Sequence, residues 1–338
     1  METGFILTFK ELKKFFENNE ALNNIDGCCD KCSQKKFCYT DNKNFHIDGM
    51  LHMKTIESRF PKLLDILQKH PNILYLIPSS VFKSFYGLYH QAFSCPFNTT
   101  LIFNNLVKIE RVYNLLSDEI SKMVFLNLIM YRITQNRDYV QRAYSMDPQY
   151  FILPFRGLGT DEVYVDCGAY NGDSFISYCQ YNDVPKKAYL FEPDYKNSEL
   201  MVHSLMNYKD TCDIKIIKKG TYKFTGNFYF VGGKGVNSHI SETPAENSSK
   251  LDVTSIDDAI DEEVSFIKMD IEGSEKEALI GAEKHILSTY PRLAICIYHY
   301  NEDLWEIPLL IKEKFLQYKN FQIRHHSKFN TETVLYVY

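Results

Sequence analysis

Residues Glu162 to Ser174 read EVYVDCGAYNGDS, and the rest of the chain is best understood outward from them. Val163, Tyr164 and Val165 form a short apolar, β-prone run of the kind that makes a buried strand. Asp166 ends the run, and Gly168, Ala169 and Gly172 follow within a few residues. Phe175, Ile176 and Tyr178 then resume at helical spacing. A strand, a glycine-rich turn and a helix together make the opening unit of a nucleotide-binding α/β sheet. Small residues let the backbone close against a ligand, and the following helix turns its first N–H groups toward it.

The turn departs from the dinucleotide pattern G-x-G-x-x-G, which lays a pyrophosphate on the helix N-terminus. Here it is Asp-x-Gly-Ala-x-x-Gly-Asp, with carboxylates at Asp166 and Asp173. Such groups repel a diphosphate but suit the ammonium of a methionine moiety, a shape that points to S-adenosylmethionine. Taken alone, the same glycines would also serve a tight βα connection. The next strand, Tyr189 to Phe191, runs into Glu192-Pro193-Asp194. An acidic residue about 20 positions beyond the glycines is placed to accept the hydroxyls of a ribose.

Two later stretches complete an ordered set: FIKMDIEGSEKEAL (Phe266 to Leu279) and PRLAICIYHYNEDLWEIP (Pro291 to Pro308). With DPQYF (Asp147 to Phe151) and RHHSKFNTETVLYVY (Arg324 to Tyr338), these segments resemble the FkbM family of S-adenosylmethionine-dependent methyltransferases. The resemblance implies an α/β chain with a Rossmann-like class I methyltransferase fold, a mostly parallel seven-stranded sheet with a terminal antiparallel strand. Its cofactor would be S-adenosyl-L-methionine, held by Asp166, Gly168, Ala169, Tyr170, Asn171, Gly172, Asp173 and Ser174, and by Glu192 and Pro193. Asp166 and Asp173 would face the methionine amino end and Glu192 the ribose, while Lys219 and Gly220 would lie near the adenine.

Methyl transfer is an in-line displacement at a sulfonium carbon, so the protein mainly has to hold acceptor and methyl in line. An alcohol acceptor also gains from a base that takes its proton. In open α/β sheets ligands bind beyond the carboxyl ends of the strands, where Asp270, Glu272 and His299 fall. His299 titrates nearest neutrality and is the expected base, with Asp270 orienting or assisting. A histidine merely packed by Trp305 is the structural alternative. Candidate substrate contacts are Gln149, Tyr150, His239 and Tyr298. Glu275 and Glu277 read as the acidic first turn of a helix. A hard cation on Asp270 and Glu272 would lack an evident third ligand, so metal-free catalysis is expected.

The family's substrate class makes the expected reaction O-methylation of a hydroxyl on a sugar, glycan precursor or related small molecule. N-methylation of an amino sugar is the competing enzyme reading. A non-catalytic S-adenosylmethionine- or nucleotide-binding protein is the competing reading of another class.

The 338 residues allow two domains, with 45% hydrophobic content supplying a core to each. The expected division is a mainly helical N-terminal domain, 1–145, and a methyltransferase domain, 146–338. Helical spacing runs over Phe5 to Leu22, Leu51 to Gln68, Val81 to Phe93, Leu115 to Arg132 and Arg137 to Tyr144, with a compact strand at Ile73 to Ile77. In the second half, strands are expected at 162–166, 187–191, 214–218, 264–269 and 292–298, then at 321–325 and 333–338. A hairpin with its turn at Thr225-Gly226-Asn227 is expected between the third and fourth of these.

A net charge of −5 is too balanced for a protein living on phosphate backbones, so no nucleic-acid partner is expected. No apolar run reaches the ~18 residues that span a bilayer, and no charged-then-apolar leader opens the chain. The expected location is the cytoplasm and the expected partner a small molecule or glycan; the oligomeric state is left open by the sequence. Nine cysteines without such a leader argue against a disulfide framework. Cys29, Cys32 and Cys38, beside Cys28 in the polar stretch 23–48, have metal-ligand-like spacing, but no second C-x2-C completes a site. Incidental thiols in a loop are the simpler reading.

Overall fold

A computed structural model of the protein describes residues 8–10, 12, 99–134, 137–231, 239–241 and 248–338. The expected elements between Leu51 and Phe93, the strand at Ile73 to Ile77 and the cysteines of 23–48 lie outside the described residues, as does most of the helix expected at Phe5 to Leu22. The chain divides into two compact units. One holds Met1–Met146, Tyr298–Leu309 and Gln322–Thr333, and the other Asp147–Ile297, Leu310–Phe321 and Val334–Tyr338.

From residue 99 the first unit holds helices α1 (Thr99–Asn104), α2 (Leu106–Leu115), α3 (Glu119–Thr134) and α4 (Arg137–Ala143). Asp118 starts α3 by accepting the Ser121 backbone N–H at 2.7 Å, which caps an otherwise orphaned donor. The apolar run Val124 to Met130 is almost entirely buried, so α3 is the core helix of this unit. Arg132, 1% exposed, is accommodated there because its Nε donates to Asn301 Oδ1 at 3.1 Å.

In the second unit the predicted βαβ rhythm appears. In chain order come β1 (Val163–Cys167), α5 (Asp173–Tyr181), β2 (Lys187–Phe191), α6 (Tyr195–Ser204) and β3 (Asp213–Ile217). The strands β4 (Gly220–Thr221), β5 (Gly226–Val231), β6 (His239–Ser241) and β7 (Ser248–Thr254) follow, then α7 (Ile256–Ala259) and β8 (Phe266–Met269). The chain finishes with α8 (Glu275–Ile280), α9 (Glu283–Thr289), β9 (Arg292–Cys296), α10 (Asp303–Lys314), β10 (Phe321–His325) and β11 (Thr333–Val337).

The main sheet has seven strands in the order β10-β11-β9-β8-β1-β2-β3. β3-β2-β1-β8-β9 pair in parallel, and β11 pairs antiparallel to β9. It is the mostly parallel sheet with a terminal antiparallel strand that the sequence motifs imply. The order reverses between β1 and β8, and at such a switch point the strand ends leave a crevice for a ligand. Every residue of β1 and β8 is buried, as expected for central strands covered on both faces. Beside them lies an aromatic cluster in which the rings of Tyr164 and Tyr178 are 4.6 Å apart and those of Tyr164 and Phe266 5.3 Å apart.

One local expectation is corrected. Gly226 and Asn227 are ladder residues, opposite Val253 and Asp252, rather than a hairpin turn. β5 instead pairs with β6 and β7 in a separate four-stranded sheet of order β4-β7-β5-β6. Glycine suits position 226 because a Cβ there would stand 3.0 Å from the Phe224 ring. Among the described residues, no helix is long and apolar enough to cross a membrane.

Candidate functional site

The turn after β1 is held from three sides. The N–H groups of Gly168 and Ala169 both reach the carbonyl of Phe191, at 3.1 and 2.9 Å, which ties the turn to the end of β2. Gly168 has φ +81°, and a Cβ there would lie 1.9 Å from the carbonyl oxygen of Asp270. Only glycine permits that approach of β1 to the end of β8. Gly172, at φ +88°, closes the turn by donating to Ala169 O at 2.8 Å and leads into α5. Tyr170 is also left-handed, at φ 48°, with its side chain exposed. Asn171 Oδ1 accepts from Asp173 N, and Asp173 Oδ1 from Ser174 N, so two first-turn N–H groups of α5 are satisfied locally although its N-cap, Gly172, has no side chain to offer.

Glu192 stands across the crevice at the end of β2, 7% exposed. Its Oε2 accepts the Tyr170 N–H at 2.9 Å and its Oε1 the Asp194 N–H at 2.8 Å. The carboxylate therefore links the first turn to the second. Oε1 also receives Asn197 Nδ2 at 3.4 Å, so of the carboxylate's roughly four lone-pair sites one, on Oε2, can still accept a hydroxyl. Pro193 beside it is exposed.

Asp166 is fully buried, and its carboxylate is turned onto protein groups. Lys268 Nζ lies 2.9 Å from Oδ1, and the Tyr164 hydroxyl donates to Oδ2 at 3.2 Å. The two charged residues are register partners in β1 and β8. Lys268, 2% exposed, also donates to Gly168 O at 2.8 Å and sits 5.2 Å above the Tyr150 ring. Burial pulls the Lys268 ammonium toward losing its proton, but Asp166 and Asp270 overcome this and hold it well above its ordinary range. Burial likewise raises the Asp166 carboxyl against the pull of Lys268. We read the pair as ionised, because two oxygens within 2.9 Å match the donors of a charged ammonium.

Asp270 is the first residue past β8, half-buried. Its Oδ2 accepts the Tyr150 hydroxyl at 2.9 Å. That hydroxyl receives Gln149 Nε2 at 3.0 Å and lies 3.6 Å from Cys296 Sγ. Tyr150 is held at φ 69°, with its N–H donated to the Tyr336 hydroxyl at 2.9 Å. The expected substrate residues Gln149 and Tyr150 are thus engaged with Asp270 through their polar atoms. Glu272 is exposed at φ 56°, while Glu275 is buried, its Oε1 accepting the Ile271 N–H at 2.8 Å. The buried Cys167 thiol is pushed up to about 12 by desolvation, which makes it an inert core group.

Lys219 lines an open groove of about 440 Å³ with Ile217, Thr225, Thr254, Asp258 and Ala259, and Gly220 starts β4. His239 lies in β6. Tyr298 and His299 belong to the first unit, with their rings 4.1 Å apart. Within the second unit, then, Gly168, Glu192, Asp166, Asp270, Gln149 and Tyr150 converge on the carboxyl ends of β1, β2 and β8. Sequence reasoning missed Lys268. Its signal was a lone lysine within the otherwise apolar strand Phe266–Met269, where an unpaired charge is not tolerated.

Comparison with known proteins bears on this arrangement. Residues 166–323 match the family profile described as the methyltransferase FkbM domain. A crystal structure of methyltransferase FkbM from Methylobacillus flagellatus KT is similar at 28% identity and a TM-score of 0.61. The match covers 70% of this chain and 60% of that one, so this chain spans only part of that protein's length. A putative rRNA-methylase from Clostridium thermocellum matches at 13% identity and TM-score 0.34, covering 60% of this chain and 92% of its own. A SAM-dependent methyltransferase from Aquifex aeolicus matches at 13% and 0.33, covering 60% and 97%. These two scores are too low to carry any argument. No curated protein matched the chain.

Proposed function

We propose that the FkbM methyltransferase domain of this chain binds S-adenosylmethionine and methylates a hydroxyl of a sugar, glycan precursor or related small molecule. The observation that carries the reading is the Glu192 carboxylate, oriented by the N–H groups of Tyr170 and Asp194 at the ends of β1 and β2. A carboxylate fixed in this way suits a hydroxyl of a ribose, and its charge disfavours a diphosphate. The residues present therefore fit a nucleoside bearing a cationic tail.

In this reading Glu192 accepts a ribose hydroxyl, and the Gly168–Gly172 turn offers its backbone to the amino-acid end. Asp166 acts from beneath the turn rather than by open contact, since Lys268 and Tyr164 occupy it. Lys219 and Gly220 flank the base. When bound, the cofactor supplies an electrophilic methyl group on a sulfonium. Asp270, steadied by the Tyr150 hydroxyl, holds the acceptor hydroxyl in line. His299 follows β9 closely in sequence and takes the acceptor's proton. Glu272, exposed next to Asp270, contributes to acceptor binding.

The experiment is a screen of mono- and oligosaccharides with labelled S-adenosylmethionine, read by product mass. One methylene gained by a sugar with free hydroxyls, and none by its fully O-blocked analogue, is the expected result. Transfer to an amino sugar at nitrogen alone would overturn the hydroxyl assignment.

A further inference from the structure

Besides sitting over the Tyr150 ring, the ammonium of Lys268 makes two close contacts with oxygens: one to the carboxylate of Asp166 at 2.9 Å, the other to the carbonyl of Gly168 at 2.8 Å. The first could be a buried charge pair of no functional consequence. The second is different, because Gly168 belongs to the turn that joins the end of β1 to the ends of β2 and β8. That carbonyl belongs to a residue in the left-handed region, where a Cβ would stand only 1.9 Å from Asp270 O. A backbone in so constrained a conformation persists only where its surroundings hold it.

We propose that Lys268 is a positioning residue that clamps the Gly168 turn in its ligand-ready shape. The inference rests on the reading above that this turn receives S-adenosylmethionine. Three observations favour a clamp over a charge pair alone. Lys268 is 2% exposed, so its conformational freedom is already spent in the fold. One of its three donors goes to the turn itself, at the carbonyl of Gly168, so satisfying the ammonium and fixing the turn are the same contact. Asp166 in turn is fixed by the Tyr164 hydroxyl at 3.2 Å, so the ammonium is held between a rigid anion and the turn. A carbonyl drawn down onto Lys268 also turns the adjoining peptide so that the Ala169 N–H meets Phe191 O at 2.9 Å.

Removing Lys268 alone would strand a buried carboxylate and risks unfolding the protein. The informative comparison is therefore between Asp166→Asn and the double variant Asp166→Asn/Lys268→Met. The single variant strands the buried ammonium instead, with Gly168 O as its remaining hydrogen-bond acceptor, so thermal unfolding first establishes that it is folded. The double variant removes both buried charges and should unfold at an equal or higher temperature than the single. The clamp predicts that S-adenosylmethionine nevertheless binds at least tenfold more weakly to the double variant, by calorimetry. Equal affinity in the two would overturn the inference and leave Lys268 a charge partner only. Ligand-free hydrogen exchange supplies the second measurement. The Gly168 and Ala169 amides should exchange faster in the double variant than in the single, and equal protection would likewise overturn the clamp. Failure of the wild-type protein to bind S-adenosylmethionine would refute the cofactor reading, while the exchange comparison would still decide on Lys268.

Discussion

Replacing three glycines by alanine, one at a time, separates backbone strain from steric exclusion in the second unit. Gly157, Gly172 and Gly168 all have left-handed φ angles, +69°, +88° and +81°. Forcing a Cβ into that region costs ~1–2 kcal/mol, partly offset by the ~0.4–1 kcal/mol that alanine gains by restricting the unfolded chain. At Gly157 nothing lies within 4 Å of the new Cβ, so strain is the whole effect and the net loss should be about 1 kcal/mol. At Gly172 the Cβ would meet Leu205 Cδ2 at 3.1 Å and Met201 Cγ at 3.2 Å. Those side chains can yield, and a loss of roughly 2 kcal/mol is expected, near the low end for overpacking a core. Gly168 differs in kind, because its Cβ would stand 1.9 Å from the Asp270 carbonyl oxygen, where real contacts stop near 3.0 Å. Moving backbone by that shortfall breaks the Gly168 N–H bond to Phe191 O and the Lys268 bond to Gly168 O. At ~0.5–1.5 kcal/mol for the first and ~1.5–3 for the charged second, the total with strain reaches roughly 4–5 kcal/mol. A typical domain has only ~5–15 kcal/mol to lose. Urea denaturation of the three variants measures the series directly, and cofactor binding should vanish for Gly168→Ala alone. Equal midpoints for Gly157→Ala and Gly168→Ala would refute the reasoning.

Other outcomes follow from the same structure. His325 is buried, with Nδ1 2.8 Å from Thr333 Oγ1 and Nε2 2.6 Å from Phe329 O, and desolvation lowers its pKa to about 3. Native His325 is therefore neutral, so below ~6.5 the unfolded chain takes up a proton that the folded one refuses, and stability falls from there toward pH 3. The thermal midpoint should drop more steeply between pH 6.5 and 4.5 for the wild type than for His325→Gln; parallel curves would count against a neutral buried imidazole. In the chemistry, His299→Ala should lower turnover on an identified sugar acceptor by ~10²–10⁴ while leaving cofactor affinity unchanged. Near-normal turnover would pass the role to Asp270.

What could be read from the sequence was what short range decides. The run Val163 to Val165 announces a buried strand because every residue in it is apolar, and the glycines at 168 and 172 announce a turn because larger residues are disfavoured there. Glu192 was legible for the same reason, standing directly at the end of an apolar run. Lys268 was not, because its meaning lies in a partner that only sheet register supplies. Asp166 and Lys268 are far apart in sequence and meet when β8 pairs with β1. The expectation that Asp166 faces a ligand's amine follows from the motif, but burial beside Lys268 shows where its charge goes. At Thr225-Gly226-Asn227 turn chemistry misled, since pairing of β5 along the whole of β7 outweighs a local turn preference. Tyr150 carried no local sign of its strained backbone. Its φ of 69° is fixed by the Tyr336 hydroxyl, a contact across nearly the whole second unit of the chain.

The role of Glu192 is tested most directly by the affinity for S-adenosylmethionine of the wild-type protein and of Glu192→Ala, measured by titration calorimetry with thermal unfolding as a control for folding. Losing the carboxylate that accepts from Tyr170 and Asp194 removes the ribose acceptor. One binding site is expected in the wild type, with a loss of roughly 1–3 kcal/mol in the folded variant, the range for stripping a buried hydrogen-bond partner. Absence of binding to the wild type, or unchanged affinity in a folded Glu192→Ala protein, would contradict that role.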